Sequence, residues 1–375
     1  MTGTEEPEFV SEKSLAYLNP RQAIDYNDHR ERLVHWLKTE GKDPDHSEGL
    51  ARKTAANYAS RLDKFYRWVW EEFDGYTTRI THEHADEYVQ RLADDELCKD
   101  DGVPYSPAHK RKETDALEKL FEWRAQELGD EKWQSSVTFS ESSSNPPDVF
   151  SKAERAKLRE AALELDSIPA YNGLSPEERD RWKAHLAQKL GKPKADVTPD
   201  DWERVSTSWK LPSLVWAVLD AGLRPIEIER SRVGWLRLEK GVIHIPKAEA
   251  SKNRDHWEVA LGERTVSALE RWLNERENYT KYDGREDIWL NRQGNPYQSR
   301  SLNYLLDKLC DAAGIDQENR DLTWYSIRHS TGTYLATEGD LSQAKAQLRH
   351  KSLESTMRYT HPPVEERRDT LDEIG

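Results

Sequence analysis

The chain has 375 residues, of which 34% are charged and 35% hydrophobic, and its formal net charge at pH 7 is −14. This length predicts two domains, each with its own core, and the 14 tryptophans and 15 tyrosines exclude an intrinsically disordered protein. No apolar run approaches the roughly 18 residues of a membrane-spanning helix, so we expect no membrane partner.

The two cysteines, Cys98 and Cys310, lie in different halves of the chain and provide neither a disulfide framework nor a zinc site. The acidic N-terminal sequence lacks the apolar segment of a signal peptide. Together these features predict a cytoplasmic protein.

Helix signals dominate the first third of the chain. We expect a disordered arm over residues 1–18, a domain of four helices over 19–133, and a linker rich in serine and proline over 134–148. The helix signals are Asn19-Pro20, an apolar periodicity over 47–73, Thr81, Ser106-Pro107 and a terminating Gly129.

Basic side chains mark two helices of this first domain. They are Arg52, Lys53, Arg61 and Lys64 on the second helix, and Lys110 and Arg111 at the start of the fourth. Basic groups near a helix N-terminus attract phosphate, although a solvated charged face is the alternative for any single residue. Two basic faces in one small domain favour DNA binding.

The net charge of −14 opposes that interpretation, because nucleic-acid-binding domains are usually basic. Either the protein does not bind DNA, or its acidity is a whole-surface adaptation that leaves a local basic surface. Abundant Asp and Glu with little Cys, Met and Phe resembles the composition of halophilic archaeal proteins. We favour the second hypothesis, since high salt screens an acidic field over a few ångströms.

The remaining residues, 149–375, predict a second domain in which helices surround a small antiparallel β-sheet, so the whole chain is mainly α. A helix begins at Ser151, and residues 166–205 predict an inserted pair of small helices. An apolar helix ends at Gly222. Three short strands are expected over 235–238, 242–245 and 256–261, after which helices resume.

Five side chains of this second domain suit chemistry on a phosphodiester. They are Arg224 after the apolar helix, Lys252 on the second turn of the sheet, and Arg328, His350 and Tyr359 at helix edges. Guanidinium groups are planar, always charged and bidentate toward phosphate oxygens. A tyrosine hydroxyl in such a positive field is a candidate nucleophile.

The order, neighbours and spacing of these five residues resemble the active-site set of the tyrosine recombinases, also called phage-type integrases. The resemblance covers about 20–145 and 149–365. It implies an N-terminal core-binding (SAM-like) domain followed by an α+β catalytic domain. It also implies a site-specific recombinase that cuts and rejoins double-stranded DNA through a 3′-phosphotyrosyl intermediate, with no metal, ATP or other cofactor. The active form would be a homotetramer on DNA, assembled from monomers or weak dimers.

The resemblance implies a role for each member of the set. Arg224 and Arg328 would stabilise the phosphate, His350 would donate to a phosphate oxygen, Lys252 would protonate the leaving 5′-oxygen, and Tyr359 would be the nucleophile. Two alternatives stay open. Arg224 could instead form a structural ion pair with Glu227, and Lys247 or Arg254 could take the place of Lys252.

One position departs from the family pattern. A histidine usually stands three residues before the second arginine, where this chain has Tyr325. A phenol can contact phosphate, but a pKa of about 10 makes it a poor base. We expect Tyr325 to contact phosphate, with core packing as the alternative, and the proton acceptor for Tyr359 stays open. His329 is expected to support the arginine, and Tyr334 to pack in the core.

Two other functions compete with a recombinase. A non-catalytic DNA-binding relative would account for Tyr325 and for the acidity. A metal-dependent nuclease is disfavoured, because no group of Asp, Glu and His has the spacing of metal ligands.

Overall fold

The computed structural model describes residues 10–73, 75–140, 148–250, 255–357 and 359, together with 367–368, 371–372 and 374. The chain divides into two compact units, Met1–Ser144 and Asn145–Gly375. In the described part, no helix is both long enough and apolar enough to cross a membrane.

The first unit is helical. Its helices are α1 (Glu12–Leu15), α2 (Pro20–Thr39), α3 (Arg52–Glu72), α4 (His82–Ala93) and α5 (Pro107–Leu128). The predicted starts at Asn19, Thr81 and Ser106 are confirmed, since each side chain accepts hydrogen bonds from backbone N–H groups of the first turn. Gly129 ends α5 with a φ of 72°. Helix α3 begins at Arg52, later than the periodicity predicts, because Ser47 has a left-handed φ of 51° and Glu48 pairs with Asp43 in a β-bridge.

The expected disordered arm is helical over Glu12–Leu15, so that part of the expectation is wrong. The hydroxyls of Ser11 and Ser14 donate to the carboxylate of Asp63 at 2.6 and 2.8 Å. Burying a carboxylate is costly unless it accepts hydrogen bonds. The two hydrogen bonds to Asp63 therefore hold this segment in place. Residues 1–9 of the arm lie outside the described residues, as do residues 141–147 of the expected linker.

The core of the first unit is rich in aromatic side chains. Tyr26 packs edge-on against Trp70 and Tyr66, and Phe65 packs edge-on against Tyr88. Such geometry suits the quadrupoles of aromatic rings. The segment after α5 adds Val137 and Phe139 to this core, although it forms no helix or strand.

The second unit is α+β. Its helices are α6 (Lys152–Glu164), α7 (Pro176–Leu190), α8 (Pro199–Arg204), α9 (Lys210–Ala221), α10 (Pro225–Arg230), α11 (Glu263–Arg276), α12 (Ser299–Ala313), α13 (Trp324–Tyr334), α14 (Leu341–Leu348) and α15 (Glu354–Met357). Its strands are β1 (Leu236–Arg237), β2 (Val242–Ile245) and β3 (Trp257–Ala260). They form an antiparallel sheet in the order β1-β2-β3, with Ile243 opposite both Leu236 and Val259. The mainly α fold with a small antiparallel sheet is therefore confirmed.

Helix α9 is the centre of the second unit. Nine of its twelve residues are buried, and it packs against α6, α11 and α13. Gly222 ends the helix with a φ of 55°, in the left-handed region that favours glycine. The chain therefore turns sharply at Gly222 and brings Arg224 to the first position before α10.

Residues 166–205 contain the two expected helices, α7 and α8. Ser175 and Thr198 cap them, each with its hydroxyl accepting from a backbone N–H three residues on. Helix α7 has 15 residues and is longer than expected. The segment buries its own small cluster around Trp182, Leu186 and Trp202, which accounts for its order.

Candidate functional site

Two glycines and one leucine bring the ends of α9 and α14 together on α13. A Cβ on Gly222 would lie 2.7 Å from Leu348 Cδ2, and a Cβ on Gly332 would lie 2.6 Å from Leu348 Cδ1. Leu348 therefore fills the space that Gly222 and Gly332 leave open because they have no side chain. Since Leu348 is the last residue of α14, this packing brings His350 to the end of α9.

Arg328 joins these three helices. Its side chain is 3% exposed, and its guanidinium donates to the carbonyl oxygens of Gly222 and Leu348. Its Nη2 also lies 3.2 Å from His350 Nε2. Arg328 thus contacts both the turn that leads to Arg224 and the helix end that leads to His350.

A buried carboxylate connects two further arginines. Glu227 is 1% exposed, and its Oε1 accepts from Arg224 Nη1 at 2.7 Å. Its Oε2 accepts from Arg349 Nη2 at 2.7 Å. The ion pair between Arg224 and Glu227 that we weighed as an alternative is thus present, and it orients Arg224 beside the other two arginines.

Arg349 is a site residue that sequence reasoning missed. It is 1% exposed and has a φ of 59°, a conformation that costs a non-glycine residue roughly 1–2 kcal/mol. Hydrogen bonds from its guanidinium to the carbonyl oxygens of Ala221, Gln347 and Gly222, at 2.8–3.1 Å, offset this cost. An arginine at the end of α14, where glycine is usual, was the signal in the sequence.

The cluster carries an excess of positive charge. Three guanidinium groups face one carboxylate. Burial, followed by repulsion from Arg349 and Arg224, lowers the pKa of the Arg328 guanidinium to about 9. Burial opposes the ionisation of Glu227, yet the three arginines lower the pKa of its carboxyl to about 2. An anion such as a phosphodiester would balance this charge.

His350 lies between Arg328 and Tyr359. An arginine has no acceptor atom, so a hydrogen bond from Arg328 Nη2 requires His350 Nε2 to be unprotonated. Its Nδ1 then donates to Thr356 Oγ1, which lies 3.0 Å away. The imidazole stacks on the ring of Tyr359 with centroids 5.8 Å apart and planes 13° apart.

Tyr359 is 4% exposed and lies against α13. Its Oη lies 3.1 Å from His329 Nδ1. A Cβ on Gly332 would lie 3.1 Å from two carbons of its ring, so the ring lies over that glycine. His329 and Gly332 are three residues apart and share one face of α13. We expected His329 to support the arginine; its imidazole also contacts the phenol of Tyr359.

Two of the predicted site residues, Tyr325 and Lys252, are not part of the cluster that the structure describes. Tyr325 is 44% exposed, which rules out the core-packing alternative, and its ring lies 6.4 Å from that of His329. Lys252 and Arg254 lie outside the described residues. Tyr334 is half-buried, with Arg155 and Lys152 over its ring, so it packs at the edge of the core.

The basic residues of the first unit differ in exposure. Arg52, Lys53 and Arg111 are exposed. Arg61 is half-buried and forms an ion pair with Glu113, and Lys64 donates to Tyr105 Oη at 2.7 Å. Lys110 is 7% exposed, with its ammonium 2.6 Å from Asp95 Oδ1, so its charge is already neutralised. The ion pair of Lys110 with Asp95 could not be predicted from the sequence.

No group of three or more His, Cys, Asp or Glu side chains in the described residues could hold a metal ion.

The sequence and the fold of this chain are similar to those of known proteins. Residues 202–366 match the sequence profile of the Phage integrase family. A stretch of 104 residues is 31% identical to tyrosine recombinase XerC of Corynebacterium efficiens, covering 28% of this chain and 32% of that protein. Another of 142 residues is 29% identical to XerC of Haemophilus ducreyi, covering 38% of this chain and 44% of that protein. The chain thus spans less than half of the length of these two relatives.

Two solved structures share the fold. One is the XerH site-specific recombinase bound to a palindromic difH substrate after cleavage, with a TM-score of 0.56, 18% identity and coverage of 94% of this chain and 88% of that chain. The other is the Tn1549 transposon integrase in complex with transposon right end DNA, with a TM-score of 0.53, 14% identity and coverage of 91% and 99%. Residues 202–366 of the second unit are thus similar to the Phage integrase family, and the similarity to XerC proteins supports the resemblance to tyrosine recombinases that the sequence indicates.

Proposed function

We propose that this protein is a site-specific DNA recombinase that cuts and rejoins double-stranded DNA through a 3′-phosphotyrosyl intermediate. One observation carries the proposal: Arg328 contacts His350 and the turn before Arg224, while His350 stacks on Tyr359. A nucleophilic side chain thus lies beside a buried cluster with an excess of positive charge. This is the combination that phosphoryl transfer requires.

The proposed reaction is a transesterification. The Tyr359 oxygen attacks phosphorus, the bond to the 5′-oxygen breaks, and a 5′-hydroxyl later reverses the attack. The phosphorus–oxygen bond energy is kept in the phosphotyrosyl link, so neither ATP nor a metal is needed. The burden falls on charge stabilisation by Arg224 and Arg328, and losing one such donor should cost about 2.7–4 kcal/mol of barrier height.

Two further residues have proposed roles in this reaction. Lys252 is proposed to protonate the leaving 5′-oxygen, since an ammonium with an adjustable pKa suits a general acid. His350 is proposed to donate to a phosphate oxygen. Since its Nε2 faces Arg328 as an acceptor, this role requires a proton on Nε2 when DNA binds, either from solution or by a change of tautomer. Tyr325, exposed on α13, is proposed to contact phosphate.

The first unit is proposed to be a core-binding domain that holds the duplex. Arg52, Lys53 and Arg111 are exposed and would contact phosphates. Arg61 and Lys64 would have to exchange their partners Glu113 and Tyr105 for phosphate. Lys110 contributes less, because Asp95 neutralises it. A homotetramer on DNA is proposed as the active assembly, and adaptation to high salt as the reason for the acidity.

A nicked duplex tests this function. Duplexes that bind are first selected from a random-sequence pool and then nicked beside each candidate phosphodiester, so that the short fragment carrying the new 5′-hydroxyl is lost after cleavage. We expect a protein–DNA adduct that survives denaturation, forms in EDTA and is absent from Tyr359→Phe. Binding without an adduct at every salt concentration would instead support a non-catalytic DNA-binding protein, and cleavage that EDTA abolishes would support a metal-dependent nuclease.

A further inference from the structure

We propose that His329 is the proton acceptor for Tyr359. The inference rests on the proposed function and deepens it, because it names the residue that activates the nucleophile. The relevant contact is that of His329 Nδ1 with Tyr359 Oη, at 3.1 Å, which is hydrogen-bonding distance for a general base.

The helical geometry explains why His329 can act where Tyr325 cannot. Tyr325, His329 and Gly332 recur at intervals of four and three residues, so they lie along one face of α13. Tyr359 covers this face at its second and third positions, with its ring over Gly332 and its Oη at His329. The phenol of Tyr325 lies one turn earlier and is exposed. The imidazole of His329 thus lies one helical turn after Tyr325, the position at which the family pattern has a histidine.

The neighbouring groups suit this role less well. His350 presents the face of its ring to Tyr359, and its two nitrogens contact Arg328 and Thr356. The guanidinium groups of Arg224 and Arg328 have no acceptor atom for a proton. A neutral imidazole has one ring nitrogen with a lone pair and a reference pKa of about 6.5, which suits a base at neutral pH.

The proton transfers of cleavage are reversed in rejoining. As the bond between Tyr359 Oη and phosphorus forms, the phenol proton moves to His329 Nδ1. The bond from phosphorus to the 5′-oxygen breaks, and the leaving oxygen receives a proton from the general acid. In rejoining, the attacking 5′-hydroxyl returns a proton to the general acid and His329 returns its proton to the departing phenolate of Tyr359, so the enzyme ends unchanged.

The test measures single-turnover adduct formation on the nicked duplex. His329→Ala should slow it by about 10²–10⁴-fold, the usual contribution of a general base. Added imidazole should restore part of the rate, because it supplies the missing acceptor. His329→Gln should be as slow, since an amide can hydrogen bond to Tyr359 but does not take up a proton. His46→Ala, which removes an exposed histidine of the first unit, is the control and should stay within a few-fold of wild type.

A substrate with sulfur in place of the bridging 5′-oxygen separates the base from the acid. A thiolate leaves without being protonated, so this substrate should rescue Lys252→Ala but leave His329→Ala slow relative to wild type. Gel-shift binding of every variant to the same duplex controls for folding.

The outcomes are distinct. If wild type forms an adduct and His329→Gln, bound normally, forms it equally fast or faster, then His329 only holds Tyr359 in the DNA-free state and the inference is wrong. If wild type forms no adduct on either substrate, the proposed function itself fails.

Discussion

Arg349 Nη2 lies 2.7 Å from Glu227 Oε2, and each of these two side chains is 1% exposed. The pair joins the end of α14, which leads to His350, to α10, which follows Arg224. Two residues without a proposed chemical role thus fix the distance between two that have one. The carboxylate also separates guanidinium groups that would otherwise repel one another.

Glu227→Gln should therefore weaken the second unit and the site together. Removing one partner of a buried ion pair typically costs about 3–5 kcal/mol, because the remaining charges stay buried without compensation. Hydrogen exchange read by mass spectrometry should show faster exchange in peptides from α10 and α14. The adduct should form more slowly as well. Glu239→Gln, at an exposed position, is the control and should leave both readouts unchanged.

Gly332→Ala tests the packing of the nucleophile. A Cβ there would meet Leu348 at 2.6 Å and the Tyr359 ring at 3.1 Å, so one of them must move. Overpacking of this kind costs about 1–3 kcal/mol, and a displaced nucleophile can slow a reaction by up to about 10²-fold. Adduct formation should fall while gel-shift affinity is retained. Gly234→Ala, whose Cβ would meet nothing within 4 Å, should behave as wild type. Equal rates for the two variants would contradict the described packing.

Much of this site could be predicted from residue types and their order, and the fold class from helix caps and periodicity. Ser106, Ser151 and Gly222 mark helix ends through local chemistry, which a sequence displays directly. The roles of Arg349 and His329 could not be predicted, because they depend on partners 122 and 30 residues away. The same is true of Lys110, whose neutralisation depends on how the loop carrying Asp95 folds back.

His29 should make the first unit sensitive to acid. Burial, aided by Arg30 and Arg32, lowers the pKa of its imidazole from 6.5 to about 3. The unfolded chain therefore binds the proton more tightly, and stability that is complete above pH 6.5 falls as the pH drops toward 3. Between pH 6.5 and 5 the loss should reach up to about 2 kcal/mol, at about 1.36 kcal/mol per pH unit.

Urea denaturation near pH 7 and near pH 5 measures this effect. The free energy of unfolding should differ less between the two pH values in His29→Gln than in wild type. His35→Gln, at an exposed position on the same helix, should leave this difference unchanged. If the free energy of unfolding changes with pH as much in His29→Gln as in wild type, then other groups cause the acid sensitivity.

Lys53 and Lys110 should differ in their effect on DNA binding. Lys53 is exposed, whereas Lys110 is buried beside Asp95. If Lys53 contacts a phosphate, Lys53→Gln should reduce the slope of log affinity against log salt by about 0.9. Lys110→Gln should leave this slope unchanged and lower the stability of the first unit instead. Fluorescence anisotropy over a salt series measures both slopes, and the same loss of slope in both variants would contradict the assignment.

Identification of the residue joined to DNA tests the central claim most directly. The trapped complex is digested with trypsin, and the peptide that carries the DNA remnant is sequenced by mass spectrometry. Peptides with Tyr325, Tyr334 and Tyr359 are distinct, because Arg328 and Lys345 lie between these tyrosines. We predict that the DNA remnant is attached to Tyr359. Attachment to Tyr325 or Tyr334, or an adduct that persists in Tyr359→Phe, would contradict the assignment of the nucleophile and the site built around it.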